Sequence, residues 1–190
     1  MSVTVFVAGI HGAGKSTICR ELARRLGVFH ATAGDLIRMN ANARTEVTVG
    51  VKAVPNVDAN QLLLLRGLAT YRARNKGPLL LDGHFVLLKP DRAIAEIPVT
   101  VYEAIAPVAI LLVEADPAAI HSRLMERDKT APPVAIITDL AMQERAHAER
   151  VCSELKIPCW AVPGDGAIDQ AAVDAASRIR AVFGNQESAS

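Results

Sequence analysis

Apolar runs of strand length alternate along the chain with segments whose apolar residues recur at helical spacing. The strand-like runs are VTVFVAG, PLLLDG, VAILLVEA and IPCWAVPG, with a shorter extended piece at FHAT. The helical segments are KSTICRELARRLG, a stretch beginning near Thr32 to Asp35, NVDANQLLLLRGLATYRARNKG, AAIHSRLMERD, TDLAMQERAHAERVCSELK and AIDQAAVDAASRIRAVF. Because the strand-like runs are apolar almost throughout, they predict a parallel sheet buried on both faces. We therefore expect an α/β three-layer sandwich of about five parallel strands flanked by helices.

Capping residues predict where several of these helices begin and end. Aspartate and asparagine accept hydrogen bonds from the first free N–H groups of a helix, and glycine adopts the left-handed backbone that ends one. The expected caps are Asn56 or Asp58 with Gly77 for the third helix, Asp116 for the next, and Thr138 or Asp139 for the one after. The short break KTAPP separates those last two helices.

The stretch GIHGAGKST follows the first strand directly and fits the phosphate-loop pattern G-x-x-x-x-G-K-[ST]. Glycines at Gly12 and Gly14 let the backbone turn its N–H groups toward phosphate oxygens, and the following helix adds its dipole. Lys15 would place a full charge on the transferred phosphoryl group, and the Ser16 hydroxyl is a ligand for Mg²⁺. The sequence thus predicts a P-loop NTPase fold. The predicted ATP-binding residues are Gly12, Ala13, Gly14, Lys15, Ser16 and Thr17.

Polar residues follow the strand PLLL, at the sheet edge where open parallel sheets bind ligands. Asp82 could hold a water of the Mg²⁺ shell there, or it could simply cap the turn before Gly83. His84 would face the same crevice and is as readily structural as functional.

Three arginines flank the break DKTAPP and could stabilise the charge that moves during phosphoryl transfer. Arg123 and Arg127 lie four residues apart and therefore on one face of a helix, and Arg145 lies in the next helix. The alternative is that each is a surface arginine paired with a neighbouring acidic residue.

Composition limits the partners. The 190 residues suit one domain spanning 1–190, and a net charge of +1 gives no general field for nucleic acid or an anionic membrane. The three cysteines, Cys19, Cys152 and Cys159, lack metal or redox spacing and are typical of reduced thiols in the cytoplasm.

The motifs GIHGAGKST, TAGDLIR, LLLDGH, SRLMERD and MQERAHAER occur in an order and spacing that resembles the adenylate kinase family. The short segment that follows Arg127 is most similar to the archaeal-type and nuclear adenylate kinase-like branch, whose lid is abbreviated. The resemblance implies an acceptor-binding helical insertion at about 33–76 and a short lid at about 127–138. It also implies that homo-oligomers are possible.

The resemblance also implies roles for individual residues at the matching positions. In the family, the GDLIR-like stretch begins the monophosphate-binding helix, and the aspartate of the LLLDG-like strand end organises Mg²⁺. Arginines at and after the lid meet the ATP base and the phosphates. The residues so assigned are Gly34, Asp35, Arg38 and His84 for the acceptor, Ser16 and Asp82 for the metal, and Lys15, Arg123, Arg127 and Arg145 for catalysis.

We therefore expect a nucleoside monophosphate kinase that uses ATP and Mg²⁺. The stretch DGHFVLLKPD lacks the arginine and glutamine by which bacterial-type adenylate kinases read the acceptor, so the acceptor base is left open. One alternative is a small-molecule kinase whose acceptor is a hydroxyl group, with Asp35 or Asp82 as the base. Another is an ATP-binding protein or slow ATPase that regulates a partner.

Overall fold

Five parallel strands form the centre of the protein in the computed structural model, which describes residues 3–42 and 58–187. The described residues form seven strands, two of which lie outside this sheet. In chain order they are β1 (Thr4–Ala8), β2 (Phe29–Thr32), β3 (Leu79–Asp82), β4 (Val86–Leu88), β5 (Ile94–Glu96), β6 (Ala109–Glu114) and β7 (Cys159–Pro163). The parallel sheet has the order β2-β3-β1-β6-β7, while β4 and β5 pair separately as an antiparallel hairpin. The predicted parallel sheet of five strands is confirmed.

Helices cover both faces of this sheet. They are α1 (Lys15–Leu26), α2 (Ala33–Asn42), α3 (Ala59–Arg74), α4 (Val99–Ile105), α5 (Pro117–Asp128), α6 (Val134–Leu155) and α7 (Ile168–Glu187). Alternate residues of β1 serve the two faces, since Val5 and Val7 pack with α1 and α7, whereas Phe6 and Ala8 pack with α3, α4 and α6. The result is the three-layer sandwich that the alternating pattern predicts.

The carboxyl ends of the parallel strands bring the predicted site together. The phosphate loop connects the end of β1 to α1, and Asp82 ends β3. Val7 of β1 pairs in register with Asp82, which places the aspartate beside the start of the loop. A ligand crevice at this edge is what an open parallel sheet is expected to form.

Some element boundaries differ from the predicted ones. The fifth predicted helix begins at Val134 after Pro133, so the prediction of Thr138 or Asp139 as its cap is wrong. Thr138 instead donates to the carbonyl of Val134 within the helix, at 3.0 Å. The break between α5 and α6 is therefore limited to 129–133.

The third predicted helix begins where the sequence predicts and ends a few residues earlier than predicted. Asp58 is its cap, and a capping box joins Asp58 to Gln61, whereas the alternative cap Asn56 lies outside the described residues. The helix ends at Arg74, and Asn75 rather than Gly77 caps it. The predicted insertion at 33–76 includes 43–57, which also lie outside the described residues.

The hairpin β4–β5 and the helix α4 were not predicted from the sequence pattern. Their signals are weak, because the hairpin strands are short and VTVYEAI in α4 is β-branched. Over the described part of the chain, no helix is long and apolar enough to cross a membrane.

Candidate active site

A cleft of about 410 Å³ opens at the carboxyl edge of the sheet, between the phosphate loop and the start of α2. It brings together most of the residues that the sequence motifs single out. From those motifs its lining includes Gly12, Gly14, Lys15, Ser16, Thr17, Gly34, Arg38, Asp82, His84, Arg123 and Arg127.

The phosphate loop has the backbone that its glycines predict. Gly12 has φ 84° and Gly14 has φ 101°, both in the left-handed region that side-chain-bearing residues rarely adopt. Gly14 precedes α1 and no side chain caps that helix. The positive end of the α1 dipole therefore faces the cleft, as an anion site requires.

Lys15 is buried at the base of this loop. Its ammonium donates to the carbonyl oxygens of Gly9 at 2.7 Å and Ile10 at 3.2 Å, and its Nζ lies 3.9 Å from Asp82 Oδ1. Burial lowers the pKa of Lys15, and the carboxylates of Asp82 and Glu144 oppose that shift. An anionic phosphate beside Lys15 would likewise favour its charged form.

Asp82 and Ser16 supply the oxygen ligands expected of a magnesium site. Ser16 Oγ donates to Asp82 Oδ2 at 3.4 Å, and both side chains line the cleft. Burial raises the pKa of Asp82, while Lys15 is the largest opposing influence. A hydroxyl and a carboxylate are hard donors that suit Mg²⁺, so these residues fit the ion that the motif implies.

Two arginines of α5 reach the cleft in different ways. Arg123 donates through Nη1 to the carbonyl oxygens of Gly12 and Gly164, at 3.2 and 3.3 Å, which ties α5 to the phosphate loop. Arg127 pairs with the adjacent Asp128 in an exposed position at the rim.

Of the remaining predicted residues, some line the cleft and others lie outside it. Arg38 lines the cleft and pairs with Asp35 at 2.5 Å, but Asp35 itself points to Thr32 and does not line the cleft. Arg145 pairs with Glu114 and lies on a separate apolar cavity of about 210 Å³ behind the loop. Ala13 also faces that second cavity.

A third, mainly apolar chamber of about 270 Å³ adjoins the cleft on the α2 side. Ala33, Gly34 and His84 line both spaces, so these three residues lie between the cleft and the chamber. The walls of the chamber carry aliphatic and aromatic side chains, with a few polar groups from the start of α3. They include Phe6, Ile37, Leu64, Val101, Tyr102, Asp58, Asn60 and Gln61.

Glu144 is a buried residue beside the phosphate loop, and although it lies within the stretch MQERAHAER, the motifs assign it no role. Its Oε1 accepts from the backbone N–H of Gly9 at 2.9 Å, and its Oε2 accepts from those of Phe85 and Val86, both at 2.8 Å. Burial raises the pKa of Glu144 although these three donors oppose the shift. One carboxylate therefore connects the start of the phosphate loop to the loop after β3.

His84 is held as a neutral ring. Burial lowers its pKa to about 3, with further contributions from the charges of Lys15 and His11. Its carbonyl oxygen accepts from the hydroxyl of Tyr102 at 2.8 Å, which fixes the backbone of this loop. His84 can therefore contribute hydrogen bonds to a ligand at neutral pH, but not a positive charge.

The neutral state of His84 predicts a loss of stability in acid. Between the unfolded pKa of 6.5 and the folded pKa of about 3, the unfolded chain binds a proton that the folded chain does not. The free energy of unfolding should therefore fall as pH decreases through this range, by about 1.4 kcal/mol per unit from this residue. Urea unfolding between pH 4 and 7 measures the slope.

A variant pair isolates this contribution. His84→Asn should reduce the slope, since it removes the group that protonates on unfolding, whereas His121→Asn on α5 should leave most of it. His11 and His30, whose pKa values burial also lowers, add slope of the same sign in every variant. Equal slopes for His84→Asn and the parent protein would contradict the assignment.

A family profile and several known proteins are similar to this chain in sequence. A family profile described as "AAA domain" (AAA_17) matches residues 8–136. Adenylate kinase isoenzyme 1 from Oryctolagus cuniculus is 26% identical over 138 residues, which cover 67% of this chain and 65% of that protein. Adenylate kinase from Desulforudis audaxviator (strain MP104C) is 38% identical over 32% of this chain and 28% of its own length. UMP-CMP kinase 1 from Oryza sativa subsp. japonica is 32% identical over 42% of this chain and 34% of its own. The chain thus spans less than two thirds of each curated relative.

Solved structures agree on the fold over nearly the whole chain. A gluconokinase from Sinorhizobium meliloti 1021 superposes with a TM-score of 0.54 at 16% identity, covering 97% of both chains. A sugar kinase from Janibacter sp. HTCC2649 gives a TM-score of 0.54 at 19% identity, covering 96% of this chain and 98% of that one. The fold of this chain is accordingly that of the P-loop kinases.

Proposed function

This chain belongs to the AAA domain family, and from that premise we propose that it is an ATP-dependent phosphotransferase acting on a nucleoside monophosphate. Family membership and the adenylate and UMP-CMP kinase relatives support a P-loop kinase. The choice of acceptor is our own inference from the cleft and the chamber beside it.

The observation that carries the proposal is the distribution of charge in the cleft. Lys15, the α1 N-terminus and Arg123 surround the phosphate loop, and Arg38 with the backbone of Gly34 lies across from them. A donor triphosphate and an acceptor phosphate both need such groups, because phosphoryl transfer relies on positioning and charge neutralisation.

A hydroxyl acceptor is less well served by the same cleft. It needs a base within reach of its proton. Among the described residues that line the cleft, Asp82 is the one carboxylate, and it already contacts Ser16 and Lys15. Asp35 is bound to Thr32 and Arg38, and these contacts hold its pKa below the usual range, which makes it a weaker base. An acceptor that brings its own phosphate oxygen as nucleophile needs no such base.

The apolar chamber supports a nucleoside as the rest of the acceptor. A purine or pyrimidine ring has two apolar faces and a polar edge, which suits walls such as Ile37 and Leu64 with Asn60 and Gln61 at one end. A polyhydroxylated sugar acid would leave its hydroxyl groups unpaired against those walls. Gly34 and His84 would lie between the ring and its phosphate.

Mg²⁺ belongs to this proposal as the ion that Ser16 and Asp82 would hold. When bound, it neutralises charge on the phosphate oxygens. The chain's own groups position the phosphates. Lys15 would exchange its contacts with the Gly9 and Ile10 carbonyls for phosphate oxygens, and closure of 129–133 with its flanking helices would exclude water.

The acceptor is testable by direct product analysis. The protein is incubated with ATP and Mg²⁺ together with AMP, CMP, UMP, GMP or gluconate, and anion-exchange chromatography separates the products. We expect a nucleoside diphosphate in equal amount to ADP formed from ATP with at least one monophosphate. Phosphogluconate would favour a hydroxyl acceptor, and ADP with no phosphorylated acceptor would favour an ATPase; either result alone overturns the proposal.

A variant connects the acceptor to the α2 side of the cleft. Arg38→Ala should raise the KM for the monophosphate by about 10–100-fold, since a charge-assisted hydrogen bond is worth roughly 1.5–3 kcal/mol. The KM for ATP should change little. Arg74→Ala, in an exposed position at the end of α3, is the matched control.

A further inference from the structure

Three side chains of metal-ligating type meet behind the cleft, beneath the first turns of α1. Cys19 Sγ, a ring nitrogen of His30 and a carboxylate oxygen of Asp82 all lie within 4.8 Å of one another. Cys19 and Asp82 are buried and His30 is half-buried. Of the three, only Asp82 lines the cleft, so binding of phosphate does not account for this cluster.

The sheet register explains why these residues meet. Thr32 pairs with Asp82 and His30 pairs with Leu80 in parallel register, so His30 and Asp82 project from the same face of the sheet. Leu80 packs in one cluster with Cys19 beneath α1, which identifies that face as the one α1 covers. The cluster is therefore built on a helix and two paired strands, all rigid elements.

The His30 side chain in this cluster is incompletely hydrogen-bonded. Its Nε2 is buried and has no hydrogen-bond partner among the described residues. A buried polar nitrogen normally finds a donor or an acceptor, since leaving it unpaired costs free energy. Its proximity to a thiol and a carboxylate points to a ligand that all three groups can share.

We propose that Cys19, His30 and Asp82 bind a borderline-soft divalent cation of the Zn²⁺ type. A thiolate, an imidazole and a carboxylate together are the donor set of zinc, whereas Mg²⁺ prefers oxygen alone. Ligand bonds of about 2.0–2.3 Å put the donor atoms of a tetrahedral site roughly 3.3–3.8 Å apart. The donor atoms now lie at most 4.8 Å apart, so they would need to approach by no more than about 1.5 Å. The fourth position would be open to water or a ligand oxygen.

Binding has a defined proton balance. The Cys19 thiol gives up its proton to solvent as the metal–sulfur bond forms, so the thiolate and the Asp82 carboxylate together offset the charge of the ion. No oxidation or reduction is involved.

Occupancy would remove Asp82 from the phosphate side of the cleft. Asp82 is the residue that contacts Ser16 and lies 3.9 Å from Lys15 Nζ. A thiophilic ion would therefore inhibit Mg²⁺-dependent transfer, and this consequence rests on the function proposed above. Cys19 and His30 would be regulatory ligands that take no part in the reaction itself.

Cobalt provides a test that needs no enzymatic activity. The full-length chain, free of any histidine tag, carries Cys152→Ser and Cys159→Ser so that Cys19 is its one thiol. Titration with Co²⁺ should produce a near-ultraviolet thiolate-to-cobalt band and the visible spectrum of a tetrahedral ion, and Zn²⁺ should displace both. Absence of the thiolate band at saturating Co²⁺ would overturn the proposal.

Substitutions of the ligands in the same background test which residues bind the metal. Cys19→Ser should abolish the thiolate band, and His30→Gln should weaken Zn²⁺ binding by at least about 10–100-fold. That range is typical for loss of a residue that hydrogen-bonds a metal ligand, and loss of a ligand itself should cost at least as much. His121→Gln on α5 should leave both unchanged. If Cys19→Ser does not fold, His30→Gln still decides, because unchanged Zn²⁺ affinity in a folded variant contradicts the proposal.

Inhibition of the transferase activity by Zn²⁺ is a separate measurement. If a transferase activity is found, micromolar Zn²⁺ in excess Mg²⁺ should inhibit the parent protein, and Cys19→Ser should relieve the inhibition. A cobalt site without any transferase activity would refute the proposed function and leave the metal site intact. Activity without a cobalt thiolate band would do the reverse.

Discussion

Replacement of Lys15 by alanine is expected to lower kcat for phosphoryl transfer by roughly 10³-fold. Lys15 is the buried cation of the phosphate loop, and its ammonium lies within reach of the loop carbonyls and Asp82. Charge develops on the leaving-group phosphate oxygens as the bond to the transferred phosphoryl group breaks, so the loss in kcat should exceed any effect on ATP affinity. Steady-state kinetics, with ATP and whichever monophosphate the product analysis shows to be phosphorylated, measure kcat and both KM values.

A matched control separates charge at the loop from charge in general. Lys76→Ala removes an exposed lysine that precedes β3, at the opposite edge of the sheet from the cleft, and should leave kcat within a factor of two. Circular dichroism and thermal unfolding check that Lys15→Ala is folded. Turnover by folded Lys15→Ala within tenfold of the parent protein would mean that this cleft is not the catalytic site.

Local rules account for what the sequence predicted well. The apolar strands, the loop GIHGAGKST and the position of Asp82 at a strand end depend on neighbours in the chain, and the five-stranded parallel sheet follows from them. The capping box at Asp58 is equally local. These features could be inferred because each is encoded within a few residues.

Features that depend on distant segments were not accessible in the same way. Glu144 lies in the middle of a helix with an amphipathic, charged sequence. Nothing in the neighbouring sequence indicates that it accepts a hydrogen bond from the N–H of Gly9, 135 residues away. The apolar chamber arises only when α3, α4 and the hairpin pack together. The sequence groups Arg145 with Arg123 because both flank the break DKTAPP, yet Arg145 pairs with Glu114 outside the cleft, which reflects tertiary packing.

Glu144→Ala is expected to lower the free energy of unfolding by at least about 3 kcal/mol. The carboxylate accepts from three buried N–H groups, those of Gly9, Phe85 and Val86, and alanine leaves all three without a partner. Hydrogen bonds to a charged acceptor are worth about 1.5–3 kcal/mol each and are not additive within one cluster. Urea denaturation at pH 7 gives the change directly.

Glu144→Gln shows whether the effect comes from hydrogen bonding or from packing. The amide keeps one acceptor oxygen and the shape of the side chain, but its NH₂ group must face at least one of the three N–H donors. Its loss should therefore be intermediate, about 1–3 kcal/mol, and Glu154→Gln, exposed on the same helix, should cost less than 0.5 kcal/mol. Because Gly9 begins the phosphate loop and Phe85 follows His84, kcat should fall in the order Glu154→Gln, Glu144→Gln, Glu144→Ala. Parent-like stability of Glu144→Gln together with a large loss in Glu144→Ala would show that the side chain acts through its volume, and that its carboxylate does not organise the two loops.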